Sequence, residues 1–184
     1  MTSNNLVSAQ RRLPAVQAVV QQPSQYLTFT LGAEMFAIGI LHIKEIIEYG
    51  QLTAVPMMPG FIRGVINLRG AVVPVVDLAS RFGGQPGEIT RRTCIVIVEL
   101  QLSDGETRVL GAVVDAVSAV LDIAASDIEP APAFGTRIRT DFIAGMAKVN
   151  NKFVILLDTD RVLSMDEMTA LSGVPAAAAT EYSQ

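Results

Sequence analysis

The chain has 184 residues, of which half are apolar and 17% are charged, and its formal net charge is −4. This length fits one compact domain, or two very small ones sharing a core. The acidic balance and the scattered basic residues argue against nucleic-acid binding, which usually needs a basic face. The single cysteine, Cys94, excludes an internal disulfide. No apolar run reaches the ~18 residues of a membrane span, so we expect no direct membrane insertion.

The two ends of the sequence differ in composition from its middle. Residues 1–24 are rich in Gln, Ser, Asn and Ala, and residues 172–184 contain a run of four alanines. Segments of this kind lack the apolar periodicity of packed elements, which predicts flexible tails at both ends. The folded part is then residues 25–171, with a sequence midpoint near residues 83–92.

The folded part opens on two predicted strands. Residues 26–31 alternate apolar and polar side chains with period two, as half-buried strands do, and residues 35–40 supply the return strand. The spacing then changes, because four isoleucines between residues 40 and 47 recur at helical intervals. The pattern predicts a short helix or helical turn in this segment.

A pattern of strand, tight turn and strand occurs twice. Residues 61–77 read FIRG, VINLRG, an apolar run and Asp77, while residues 142–158 read FIAG, MAKVNN, an apolar run and Asp158. The glycine that ends the first tetrapeptide and the final aspartate are thirteen residues apart in both copies. A repeat of this size predicts two similar β-subdomains. Closing each into a small barrel would bury strand edges that otherwise aggregate.

The second half follows the order of the first. Residues 93–114 predict a strand pair joined by an Asp-Gly turn. Val117 and Val120 then repeat the apolar step of the isoleucines. After Asp158, which can cap a helix, apolar residues between 162 and 171 predict a C-terminal amphipathic helix.

The sequence contains no recognisable catalytic constellation. His42 is the only histidine, and we interpret it as a surface residue. The Asp-Thr-Asp run at 158–160 is typical of a helix N-terminus rather than a metal site. Asp77 and Asp115 each end an apolar strand and are interpreted as turn or cap residues. A large apolar core without catalytic groups favours a binding or scaffold role carried by surface side chains.

Arg69 is the main difference between the two repeat copies. Its counterpart is Asn150, which together with Asn151 suits a tight turn because asparagine tolerates positive φ. An arginine at this position is either a solvated cation, an intramolecular partner of Glu45, or a functional side chain.

Four motifs resemble one known family. They are GVINLRG at 64–70, VPVVDL at 73–78, GAVVDAVSAVL at 111–121 and IEPAPAF at 128–134. Together they closely resemble the CheW-like domain of bacterial chemotaxis coupling proteins, over about residues 25–171. The third motif departs from the family pattern, which usually has glycine at the position of Ala116.

The resemblance implies a mostly β fold of two five-stranded SH3/OB-like β-barrels, packed around a shared apolar core. Short helices and a C-terminal helix complete this fold, and strands can be exchanged between the subdomains. The resemblance implies no enzymatic activity and no cofactor.

The resemblance also implies partners and a place in the cell. Such proteins link the cytoplasmic tips of methyl-accepting chemoreceptors to the regulatory domain of the histidine kinase CheA, and CheW-like domains alternate in rings beneath the receptors. We therefore expect a cytoplasmic adaptor at membrane-associated arrays. By resemblance, the receptor-binding residues are Ile43, Glu45, Arg69, Val117 and Val120, and the kinase-binding residues are Gly64 and Val72.

Two alternatives stay open from the sequence. The chain could couple a parallel chemosensory system, such as one for motility or surface sensing. It could instead be an unrelated ligand-binding barrel of the OB or SH3 type. A nucleic-acid-binding barrel would combine basic and aromatic residues in one groove, a combination that the sequence does not favour.

Overall fold

A computed structural model of the protein describes residues 23–132, 138–164 and 166. The two helices in this part are α1 (Leu78–Arg81) and α2 (Thr159–Val162), and 3₁₀ turns cover Ile40–His42, Ala125–Asp127 and Thr140–Phe142. The strands are β1 (Ser24–Leu31), β2 (Glu34–Gly39), β3 (Ile43–Glu48), β4 (Ile62–Leu68), β5 (Ala71–Asp77), β6 (Cys94–Gln101), β7 (Thr107–Val114), β8 (Ala116–Ile123), β9 (Ile128–Glu129), β10 (Ile143–Val149) and β11 (Lys152–Leu157). The prediction of a mostly β fold is confirmed. Residues 1–22 of the predicted N-terminal tail, residues 167–171 of the predicted C-terminal helix and the C-terminal tail lie outside the described residues.

The strands form two sheets that combine both halves of the chain. One sheet has the order β8-β1-β2-β11-β10-β9, and the other has the order β3-β6-β7-β5-β4. The hairpin β1–β2 thus lies between strands of the second half, and the hairpin β6–β7 lies between strands of the first half. Two pairs, β2–β11 and β5–β7, are parallel, and the other strand pairs are antiparallel. The two sheets are therefore related by a pseudo-twofold exchange of the halves.

The expectation of two closed five-stranded barrels is wrong in detail. Within the described residues the pairing of one sheet ends at β8 and β9, and that of the other at β3 and β4. The first sheet counts six strands because the two-residue strand β9 pairs with β10. Thr53 makes the corresponding contact in the other sheet as an isolated bridge to Val65. As far as the described residues go, both sheets are open because no ladder joins their edge strands.

The duplicated pattern forms two matching hairpins, β4–β5 and β10–β11. Each has a β-bulge at the start of its first strand, between Ile62 and Gly64 in one and between Ile143 and Gly145 in the other. The predicted caps are also present, since the Asp77 carboxylate accepts the Ser80 N–H and the Asp158 carboxylate accepts the Arg161 N–H. The predicted repeat of strand, turn and strand is thus confirmed.

The predicted helical segment after β2 is a strand over most of its length. A 3₁₀ turn covers only Ile40–His42, and residues 43–48 form β3, which pairs with β6. Exposure alternates along β3, so Ile46 points outward where a helix would have buried it. The apolar step at Val117 and Val120 likewise lies on a strand, β8. Isoleucine and valine favour strands because their β-branched side chains pack well on a pleated surface.

Three apolar clusters fill the structure. The central core draws on both sheets, and four phenylalanine rings in it are linked by centroid distances of 6.1, 5.6 and 5.9 Å. These rings are Phe29, Phe36, Phe82 and Phe142. Each sheet also has a smaller cluster of its own, centred on Val154 in one and on Val75 in the other. In the part of the chain that the structure describes, no helix is long and apolar enough to cross a membrane.

Candidate functional site

An ion pair joins the two edges of the five-stranded sheet. Arg69, in the turn after β4, donates from Nη1 to Glu45 Oε1 at 2.7 Å and from Nη2 to Glu45 Oε2 at 2.9 Å. Because Glu45 lies on β3, at the opposite edge of the sheet, the sheet must curl to bring the two side chains together. The fork-shaped guanidinium fixes the orientation of both groups. The structure thus shows Glu45 as an intramolecular partner of Arg69, while the Arg69 side chain remains 76% exposed.

The backbone at Arg69 is unusual for an arginine. Its φ is +53°, and Gly70 follows at +86°, while the matching turn has Asn150 at +50° and Asn151 at +61°. Both turns therefore have the positive φ values of a type I′ hairpin. A residue with a Cβ in this region costs roughly 1–2 kcal/mol, and asparagine tolerates it best. Turn geometry alone would favour asparagine, whereas the arginine side chain makes the ion pair with Glu45.

The ion pair changes the titration of both groups. The hydrogen bond from Arg69 holds the pKa of Glu45 below its ordinary value, and the same bond raises the pKa of Arg69. A carboxylate with a lowered pKa stabilises the fold above its ordinary pKa, and this contribution is lost as the pH falls through the lowered value. Both groups are consequently charged at neutral pH.

Ile43 and Val117 are equivalent positions in the two halves. Ile43 pairs with Val98 and Val117 pairs with Phe29, each next to a bulge in its edge strand. Both side chains are partly buried and pack against the central core. Val120, farther along β8, is 49% exposed. Ile43, Glu45 and Arg69 therefore belong to one sheet, whereas Val117 and Val120 lie on the edge strand of the other.

The two bulges are stabilised by side-chain contacts that cannot be predicted from the sequence. In β3, the bulged residue Lys44 forms an ion pair with Glu99 at 2.7 Å. In β8, the buried hydroxyl of Thr28 donates to the Ala119 carbonyl at 2.9 Å and accepts the Ala119 N–H at 3.1 Å. Neither partner can be found from sequence spacing, because the contacts cross strands that are distant along the chain.

The two predicted kinase-binding positions have different environments. Val72 is 71% exposed on β5 and can contact a partner directly. Gly64 is buried, its φ is +148°, and a Cβ there would overlap the carbonyl oxygen of Thr53. In the β4–β5 hairpin, Gly64 pairs with Val75. Val75 lies three residues along β5 from Val72, which corresponds to a distance of about 10 Å. The structure therefore presents only Val72 of these two residues at the surface.

The carboxylates of Asp77 and Asp115 make hydrogen bonds within the fold. Asp77 is buried, caps α1 and accepts Arg63 Nε at 2.8 Å. Asp115 accepts the Gly32 N–H at 2.7 Å and so fixes the β1–β2 turn. The interpretation of Asp77 and Asp115 as cap and turn residues is confirmed. No group of three or more metal-ligating side chains occurs among the residues that the structure describes.

Comparison with known proteins decides the family. A family model described as the CheW-like domain matches residues 25–167. The chain belongs to the CheW-like family. The chemotaxis protein CheW of Klebsiella aerogenes is 39% identical over 150 residues, which cover 82% of this chain and 87% of that protein.

The CheW-like family is also supported by a solved structure, and the chain is similar to a more distant relative of another name. The scaffolding protein TtCheW of Thermoanaerobacter tengcongensis is 36% identical with a TM-score of 0.67, covering 74% of this chain and 84% of that chain. Protein FrzA of Myxococcus xanthus is 26% identical over 160 residues, covering 86% of this chain and 96% of that protein. The CheW-like fold thus extends over most of the described residues.

Proposed function

We propose that this CheW-like protein is a non-enzymatic adaptor that couples methyl-accepting chemoreceptors to a CheA-type histidine kinase in bacterial chemotaxis. The observation that carries the proposal is the Glu45–Arg69 pair, which joins the two edges of the five-stranded sheet. It places an exposed, oriented cation in a turn whose duplicate contains asparagine. Family membership supports the general role, and the pair supports a specific partner surface.

The proposed receptor surface consists of Ile43, Glu45, Arg69, Val117 and Val120. Ile43 and Val117 occupy equivalent places beside the central core, on the edge strands β3 and β8, and we assign them the apolar contacts with one helical hairpin of a receptor tip. Amphipathic helices bind in this way, with apolar anchors in a groove and polar groups at its rim that set the register. The Glu45–Arg69 pair would be that rim.

The proposed kinase surface lies on the β4–β5 side of the five-stranded sheet. The exposure of Val72 supports a direct contact with the regulatory domain of the kinase. Phe153, its equivalent on β11, is 58% exposed, which supports contact of the other sheet with a further CheW-like domain in a ring. We place the protein in the cytoplasm, at membrane-associated receptor arrays.

A pull-down tests the coupling role. The full chain is immobilised and offered a chemoreceptor tip fragment and a CheA regulatory domain, separately and together. We expect both fragments to bind, and binding of one to leave room for the other. Retention of neither fragment would contradict the proposal.

A parallel chemosensory system is the second candidate. The similarity to protein FrzA favours it, because this relative does not bear the name CheW. The same pull-down discriminates between the two candidates when it uses receptor tips from each signalling system of one bacterium. Preference for tips outside the chemotaxis set would select the second candidate.

A further inference from the structure

Gly64 cannot touch a protein partner directly. It is buried, and the space that a Cβ would need is occupied by the backbone of Thr53 and Ala54. Thr53 and Val65 exchange two backbone hydrogen bonds of 2.9 Å, which attach the segment after β3 to the edge of β4. The missing side chain at Gly64 therefore determines where this segment crosses β4 and where the next residues emerge.

The next residues form an exposed apolar loop, the 55–58 loop (Val55, Pro56, Met57 and Met58). Met57 is 88% exposed, and Val55 and Met58 are each 37% exposed. The chain turns at Pro56 and Met57, and Met57 has a φ of +62°. Proline followed by a residue with positive φ matches a type II turn, which normally has glycine or asparagine at the second place. A methionine is strained there, and strained residues cluster at functional sites.

The chemistry of the 55–58 loop favours a protein partner. Residues 49–62 contain no charged side chain, although the protein as a whole carries a net charge of −4. A phosphate-bearing ligand would require basic groups, and none is present in this stretch. Methionine side chains adapt to irregular apolar protein surfaces. Pro56 and Pro59 limit the conformations of the free loop, so binding orders little of the backbone.

We propose that the 55–58 loop contacts the regulatory domain of the kinase, with Met57 as the anchor and Gly64 as a positioning residue for it. This inference deepens the proposed function, in which a CheA-type kinase binds on the β4–β5 side, because the resemblance to CheW-like domains assigns Gly64 to kinase binding. It explains how a buried glycine without a side chain serves that surface: the glycine fixes Thr53, and Thr53 fixes the start of the loop. In this contact, the apolar side chain of Met57 inserts from a rigid loop into an apolar recess of the partner.

Substitution of Met57 by Asn separates binding from folding. Asparagine tolerates the positive φ, so Met57→Asn should leave the unfolding midpoint unchanged or raise it. The same change removes the apolar anchor and should weaken binding of the isolated regulatory domain roughly tenfold or more, as loss of a central anchor does. Affinity is measured by titration calorimetry and stability by urea unfolding on the same preparations.

Two further variants serve as controls. Met57→Leu retains an apolar side chain and should keep the affinity for the regulatory domain within a few-fold of the original. Leu41→Asn changes another apolar side chain, 96% exposed and on the 3₁₀ turn before β3, and should not affect this affinity. Unchanged binding of Met57→Asn would overturn the loop assignment while the coupling role stands. Failure of the unmodified chain to bind the regulatory domain would instead overturn both proposals.

Discussion

Arg69 has an unfavourable backbone conformation, and its side chain makes a favourable contact. Its positive φ is a cost that Asn150 avoids in the duplicate turn, while its guanidinium makes two hydrogen bonds to Glu45. Ion pairs as exposed as this one contribute little to stability. The folded state gains little from the arginine, which agrees with the proposed receptor-binding role of its side chain.

Exchange of the two turn residues tests this view. Arg69→Asn should leave the free energy of unfolding unchanged or raise it by up to about 1 kcal/mol, because the strain is relieved, and it should weaken binding of the receptor tip roughly tenfold. Asn150→Arg, the matched control, should lower stability by about 1 kcal/mol without affecting receptor binding. Urea unfolding and fluorescence titration measure the two quantities. Equal receptor affinity of Arg69→Asn and the unmodified chain would refute the role of Arg69.

At the scale of elements, both edge strands carry a bulge at the same place but hold it differently. The bulge in β3 has an exposed ion pair of Lys44 with Glu99, whereas the bulge in β8 uses the buried Thr28 hydroxyl. Bulges redirect side chains and increase local twist. Here they set the directions of Ile43 and Val117, which immediately precede them.

Removing the Thr28 hydroxyl should therefore destabilise the edge strand β8. Thr28→Val keeps the shape of the side chain but leaves the Ala119 N–H and C=O without their partner, which should cost about 1–3 kcal/mol. Thr28→Ser keeps the hydroxyl and should retain most of the stability. Chemical unfolding gives the cost, and amide hydrogen exchange at Ala119 reports the local opening. A fully stable Thr28→Val variant with a protected Ala119 amide would contradict this account.

Local sequence patterns predict the hairpins of this fold better than they predict the edges of its sheets. The alternation in β1, the duplicated hairpins and the caps at Asp77 and Asp158 depend on neighbours along the chain, so the sequence contains the necessary information. The isoleucine spacing in β3 fits both the helical and the strand period, and only pairing with β6 decides between them. The Glu45–Arg69 contact could be named from sequence only as one alternative, since the curl of the sheet brings the two residues together. The buried state of Gly64 likewise depends on the position of Thr53, which lies outside the hairpin that the sequence predicts.

For the whole molecule, Arg81 links the two pseudo-symmetric halves. Its guanidinium carbon lies 5.2 Å from the Phe61 ring centroid and 4.7 Å from that of Phe142, and these phenylalanines are equivalent in the two repeat copies. Arg81 Nε also donates to the Val162 carbonyl at 3.0 Å. Val162 occupies the position in α2 that Arg81 occupies in α1. One buried cation thus contacts both halves at their shared axis.

Replacing Arg81 should loosen the joint between the halves. Arg81→Met keeps most of the side-chain volume but loses the hydrogen bond to Val162, and should lower stability by about 1–3 kcal/mol. Arg81→Ala also loses the packing against both rings and should cost more than Arg81→Met. Both variants should unfold in a single transition at a lower urea midpoint. An unfolding midpoint for Arg81→Ala equal to that of the unmodified chain would show that the contact is dispensable.

The exchange of hairpins between sheets has a consequence for biosynthesis. When the ribosome has completed only the first half of the chain, β3 and β5 lack the β6–β7 hairpin that joins them, and β1–β2 lacks both of its neighbours. An isolated two-stranded hairpin is marginally stable at best in water. The apolar strands of the nascent first half therefore stay exposed to solvent until the second half of the chain has emerged from the ribosome. Folding of this scaffold is in effect a post-translational event, and chaperone access during that interval should limit its yield.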